Sequence, residues 1–149
     1  MIRKMKEEDF KAIEIIEKEC FKDPYKIEQY EYEINDNPVA NLYVLEEAGE
    51  IVGFIDYWIT FDACQLTKLA VLTKHRHKGY ASLLIMHMVE KAIQEDCEAI
   101  LLEVRESNIE AQKLYEKFEF LAINTRKNYY SDNHENAIVM GKVIGGLKT

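Results

Sequence analysis

The sequence predicts a mixed α/β fold in which an antiparallel N-terminal meander feeds a central βαβ unit. Three observations predict it. Two apolar stretches, residues 42–45 and 51–59, flank the short loop Glu47-Ala48-Gly49-Glu50 and read as a hairpin. A third apolar run, residues 66–72, passes through a basic turn into a long amphipathic segment, then into the almost continuously apolar run 99–104. Such a run suits a buried strand parallel to its neighbour, because the crossover helix covers it. The chain has 149 residues, 48% hydrophobic and 31% charged, which suits one domain spanning residues 1–149 with one sizeable core.

The elements follow in order. Residues 1–5 form a short first strand. Glu7-Glu8-Asp9 places negative charge where a helix start favours it, and Ile13, Ile16 and Cys20 recur at helical spacing, so a helix runs from about Glu7 to Cys20. Pro24 interrupts it. A second helix follows from Lys26 to about Ile34, and Asn35-Asp36-Asn37-Pro38 is turn chemistry. Three strands joined by short turns, the last turn near Asp62, make the meander. After Gly79, the positions Ala81, Leu84, Ile85, Met88, Ala92 and Ile93 give one helical face. Ser107-Asn108-Ile109-Glu110 fits a capping box with Ser107 as the cap, and Ala111, Leu114, Tyr115 and Phe118 share a face of the helix it opens. Two β-like runs end the chain, residues 120–123 (reaching toward Tyr130) and 137–140, with a turn at Asp132-Asn133-His134. The tail from Gly145 is expected to be mobile.

Composition bounds the function. The net charge of −8 argues against a nucleic-acid partner, which would call for a basic face. Cys20, Cys64 and Cys97 form neither a disulfide framework nor a metal pattern, which suits a reducing cytoplasm. The N-terminus carries no apolar signal core, and no stretch approaches the roughly 20 apolar residues that span a bilayer, so no membrane association is expected. No metal site is expected either: His75 and His77 have no carboxylate or cysteine partner at ligand spacing.

Against that acidic background, Lys74-His75-Arg76-His77-Lys78-Gly79 stands out as a basic, glycine-bearing turn between a strand and a helix. The first N–H groups of a helix lack internal partners, so such a turn suits an anion. An ordinary strand-to-helix turn with exposed cations is the alternative. Glu103 lies inside an apolar strand, where burial should raise its pKa and suit it to a general base. Its alternative is a strand-end ion pair with Arg105 or Lys113. Periodicity alone makes Tyr115 a core tyrosine with a hydrogen-bonded hydroxyl.

Arg76-His77-Lys78-Gly79-Tyr80-Ala81 reads R-x-x-G-x-A and resembles the coenzyme-binding signature of the GCN5-related N-acetyltransferases. The block Leu102-Glu103-Val104-Arg105-Glu106-Ser107-Asn108 with Ala111, Leu114-Tyr115 and Phe118-Glu119-Phe120 is similar to that of the ribosomal-protein-alanine N-acetyltransferases within that superfamily. So are Arg126-Lys127-Asn128-Tyr129-Tyr130, Glu135-Asn136-Ala137-Ile138-Val139-Met140 and Phe21-Lys22-Asp23-Pro24-Tyr25. Three positions depart from the pattern: Glu119 stands where glycine is usual, Tyr25 for tryptophan, and Ala81 for the commoner glycine.

The resemblance implies the GCN5-related fold, with two splayed parallel strands, and acetyl-CoA as co-substrate. Leu69, Ala70 and Val71 would pair with the pantetheine. The N–H groups from Arg76 through His77, Lys78, Gly79 and Tyr80 to Ala81 would take the pyrophosphate, with Asn108 a further coenzyme contact. Glu103 would be the base, directly or through water, and Tyr115 the acid. The acceptor implied is an N-terminal alanine of a small-subunit ribosomal protein, in the cytoplasm. A lysine side chain or small amine as acceptor, and a non-catalytic acetyl-CoA-binding module, remain the alternatives; the oligomeric state is left open.

Overall fold

The computed structural model describes residues 1–145. Seven strands form one sheet: β1 (Ile2–Lys4), β2 (Ala40–Glu47), β3 (Glu50–Thr60), β4 (Ala63–Val71), β5 (Ala99–Arg105), β6 (Leu121–Arg126) and β7 (Ala137–Val143), in the order β1-β2-β3-β4-β5-β7-β6. The pairing is antiparallel except between β4 and β5, which run parallel. Four helices cover it: α1 (Phe10–Cys20), α2 (Ile27–Asn35), α3 (Tyr80–Gln94) and α4 (Ile109–Lys117). The mixed sheet, the meander and the βαβ unit are those the sequence predicts.

The helices divide between the two faces. Leu84, Ile85, Met88 and Ala92 of α3 bury against Leu66, Ile100 and Leu102. On the other face, Ile13 and Ile16 of α1 and Tyr30 of α2 bury against Val44, Phe54 and Ala70. Strand β4 contributes to both cores, and a bulge decides which of its residues face which. Asp56 pairs with Lys68 but Tyr57 with Leu66, leaving Thr67 as the extra residue, its hydroxyl donating to Asp56 O at 2.8 Å. An extra residue exchanges the faces beyond it. Leu66 therefore points to α3, while Lys68 and Ala70 point to α1 and α2.

Two glycines meet backbone demands. A Cβ at Gly53 would stand 2.6 Å from Ala70 O, so only glycine lets β3 and β4 approach there. Gly79 has φ +81° and turns the chain into α3.

Several local expectations change. The first helix starts at Phe10, after a short 3-10 turn over Glu7–Asp9. Asp9 keeps its charge in that first turn and ties it to β1. It takes both Nη atoms of Arg3, at 2.8 and 2.9 Å, and the N–H of Lys6. The cap of α4 is Asn108, whose Oδ1 accepts from the N–H of Ala111 at 3.1 Å. Ser107 is displaced from that role because its N–H donates to Glu135 Oε1 at 2.6 Å. The strand after α4 begins at Leu121 and stops at Arg126, with Phe120 buried in the core before it. Gly145 is tied down, since its N–H and that of Ile144 both donate to Glu98 O at 2.9 Å. The rest of the tail, residues 146–149, lies outside the described residues.

Candidate active site

The parallel pair makes the site. Strands β4 and β5 share a ladder only from Ala63 opposite Ala99 to Gln65 opposite Leu101. Beyond that, β4 keeps its partner β3 and β5 keeps β7, and the two part company. Backbone groups of β4 from Leu66 onward thus face a gap rather than a strand. Buried N–H and C=O groups are normally paired, so an edge opened inside a sheet suits a ligand able to complete it. A cavity of about 1190 Å³ opens there, lined by Leu69, Ala70 and Val71.

The basic turn forms one end of the cavity. Gly79 caps α3 with its backbone alone, and the first internal bond is from the N–H of Leu83 to Gly79 O. The N–H groups of Tyr80, Ala81 and Ser82 therefore lack a helical acceptor, and all three residues line the cavity. His77 shares the positive φ of the turn, at +64°, and also lines it. Arg76 departs from the expectation in one respect. Its N–H is committed to Thr73 O at 3.2 Å, and its Nε donates to Val71 O at 3.2 Å. It contributes a lining guanidinium rather than a free amide. Lys78 is the one expected coenzyme contact that does not line the cavity.

Glu103, Tyr115 and Asn108 line the same space. The base and acid candidates come from opposite faces of the sheet. Tyr115 packs in the core with Leu102 and Val104. Glu103 alternates with those residues, so it projects from the other face. Burial raises the Tyr115 pKa well above the ordinary tyrosine value, so the hydroxyl carries its proton at neutral pH. Glu103 is not the secluded carboxylate that an apolar strand suggested. Its side chain is 22% exposed, Arg126 Nε lies 2.9 Å from Oε2, and the Tyr129 hydroxyl donates to Oε1 at 3.3 Å. Among the described residues Glu103 pairs with Arg126 and Tyr129 rather than with Arg105 or Lys113. Arg105 instead holds Asp132 through two bonds of 3.0 and 3.1 Å, reaches Glu135, and stacks 4.0 Å from the Tyr130 ring centre. This fixes the β6–β7 loop, whose Tyr130 and Asp132 form the cavity's outer wall.

Lys68 escaped the sequence reading. It lines the cavity, yet its ammonium is buried against Glu17 at 3.0 Å and between the rings of Phe21 and Tyr25, at 3.8 and 3.7 Å. Burial pulls its pKa down. It ties the segment after α1 to β4, and so sets the wall facing the β6–β7 loop. The signal available was a lysine within an apolar strand. The bulge that turns it inward leaves no mark in the residue pattern. Among the described residues, no group of three or more His, Cys, Asp or Glu side chains is placed to hold a metal ion.

The Acetyltransferase (GNAT) family profile matches residues 10–120, most of the chain and all of the βαβ unit. The chain belongs to the GNAT acetyltransferase family. It is an acyltransferase with the GNAT fold. It is 35% identical over 143 residues to the "Putative [ribosomal protein bS18]-alanine N-acetyltransferase" of Bacillus subtilis, covering 96% of this chain and 95% of that one. Its structure resembles that of the ribosomal-protein-S18-alanine N-acetyltransferase from Escherichia coli, with a TM-score of 0.88 and 25% identity over 97% of this chain and 94% of that one. It also shares its fold with Arabidopsis thaliana NAA60 in complex with acetyl-CoA, with a TM-score of 0.86 and 19% identity over 97% and 99% of the two chains.

Proposed function

We propose that this acetyltransferase moves acetyl from acetyl-CoA to the α-amine of an N-terminal alanine, on a small-subunit ribosomal protein. The observation that carries the reading is the split between β4 and β5, which opens a cavity through the sheet with Tyr115 on one face and Glu103 on the other. The Bacillus subtilis and Escherichia coli relatives carry ribosomal-protein alanine acetylation in their names, and that supports the acceptor.

The residues fit acetyl-CoA. The unladdered edge at Leu69, Ala70 and Val71 suits an amide-bearing pantetheine arm. The N–H groups from His77 to Ala81 suit a pyrophosphate at a helix start. Asn108, which lines the cavity, is a further coenzyme contact.

Glu103 accepts a proton from the acceptor ammonium, directly or through water. The freed amine attacks the thioester carbonyl carbon, whose oxygen the backbone N–H groups at the gap polarise. The C–S bond breaks, Tyr115 gives its proton to the departing thiolate, and the second proton on the attacking nitrogen passes through water to the tyrosinate, leaving a neutral amide and coenzyme A, while Glu103 returns its proton to solvent. Placing base and acid on opposite faces lets the acceptor and coenzyme enter from opposite sides, so neither blocks the other. A binding module without chemistry needs neither group, and both line the cavity.

The test is an incubation with acetyl-CoA and an Ala-starting peptide that carries one internal lysine, read by fragmentation mass spectrometry. Acetyl at the α-amine is expected. Acetyl on the lysine alone, or none despite coenzyme binding, overturns the reading.

A further inference from the structure

Arg126 is the last residue of β6 and reaches across β7 to Glu103. The register explains the reach: Glu103 stands opposite Val139 and Arg126 opposite Ala137, one diagonal step apart on a shared face. The Arg126 guanidinium also lies 5.7 Å from the ring centre of Tyr129, which donates to the other carboxylate oxygen.

Two features set this contact apart from a structural ion pair. Glu103 Oε2 is shielded from solvent yet makes no hydrogen bond, although Arg126 Nε is 2.9 Å away. The charge is at hand and the donor angle is not. A shielded carboxylate oxygen normally has a donor. An ammonium carries three donors on a compact, rotatable head and can meet Oε2 where the rigid guanidinium does not. Second, the Arg126 side chain is 57% exposed and does not line the cavity that Glu103 lines. The guanidinium thus has solvent to retreat into, and an exposed pair is weak.

We propose that Arg126 is a displaceable cation, which keeps the acceptor ammonium's place at Glu103 and gives way when the acceptor enters. The proposal rests on the reading of Glu103 as the base. Arg126 touches no reacting atom in this scheme; it is a positioning residue that keeps the carboxylate aimed until the acceptor arrives. The other groups around Glu103 do not take this part. Arg105 is held by Asp132 and Glu135, and Tyr129 and Tyr130 carry raised pKa values and stay neutral near pH 7.

Titration calorimetry of the coenzyme A-bound enzyme with an Ala-starting hexapeptide tests this. The proteins are wild type, Arg126→Gln, Glu103→Gln and the double variant. Arg126→Gln is expected to tighten the peptide about two- to fivefold, the reach of an exposed pair, with coenzyme A affinity within about twofold of wild type. In the Glu103→Gln background the same change is expected to do nothing. Peptide affinity that falls or stays level in Arg126→Gln overturns the proposal, as does equal tightening in both backgrounds. The turnover rate of Glu103→Gln is a separate readout: a wild-type rate removes Glu103 as the base, whatever the calorimetry gives.

Discussion

At the scale of single residues, Tyr115 and Glu103, the proposed acid and base, have opposite surroundings. Tyr115 is 8% exposed and packs 5.9 Å from the Phe120 ring centre. Its hydroxyl is kept neutral by burial, as the proposed role of proton donor requires. Tyr115→Phe keeps the packing and removes the proton. Turnover is expected to fall about 100-fold or more, the usual scale for general acid catalysis, with acetyl-CoA affinity nearly unchanged. Steady-state kinetics with a separate coenzyme titration check it, and an unchanged kcat removes Tyr115 as the acid. Asp56 makes a second residue-scale case. It is fully buried, both carboxylate oxygens lack a hydrogen bond, and burial with the nearby Glu33 pushes its pKa up to about 9. An unfolded aspartate releases its proton near pH 4, so between about pH 4 and 9 the folded state holds a proton the unfolded state has lost. Stability therefore falls as pH rises through that window, by at most about 1.4 kcal/mol per unit. Asp56→Asn should flatten the dependence, and urea unfolding at pH 5, 7 and 9 measures it. The charges legible in sequence were those whose chemistry a motif names. Asp56 and Lys68 were not, because their burial comes from packing across the sheet rather than from local pattern.

At the scale of elements, strands and helices were legible from periodicity and turn residues, while their ends depended on competition between nearby groups. The α4 cap shows why. Ser107 and Asn108 are both good caps, and Glu135, 28 residues on, decides by taking the Ser107 N–H. Its carboxylate is held down to about pKa 2, first by the bond to Ser107. The departure at Glu119 resolves differently. The end of α4 keeps its expected form, with Glu119 forced to φ +67° and its N–H donating to Glu116 O at 2.8 Å. A side chain there carries a steric cost that glycine avoids, partly offset by the entropy glycine loses on folding. Glu119→Gly is expected to stabilise the protein by about 0.5–1 kcal/mol, read as a higher midpoint in urea. A lower midpoint would mean that Glu119 makes a contact worth more than its strain.

At the scale of the molecule, the function depends on a feature that neither parallel strand shows alone. Residues 66–71 and 99–104 each read as strands, and both are strands in the sheet. What periodicity does not carry is that they share three paired positions and then diverge. Divergence is a property of the sheet: it begins just before the bulge at Thr67, while β5 stays paired to β7 along its other edge. The splay entered the sequence reading through the family resemblance, as did the roles of Tyr115 and Asn108, while Glu103 was already a base candidate from its place in an apolar strand. The basic turn was readable from chemistry alone, since charge and a glycine before a helix mark it locally, and anion binding there is part of the proposal. The central claim is that this opened sheet directs acetyl to an N-terminal alanine. Initial rates on two peptides test it most directly. Both begin with alanine and carry one lysine; one has a free α-amine, and the other has that amine blocked. The account predicts turnover of the first and almost none of the second. Equal rates, or faster turnover of the blocked peptide, would contradict it.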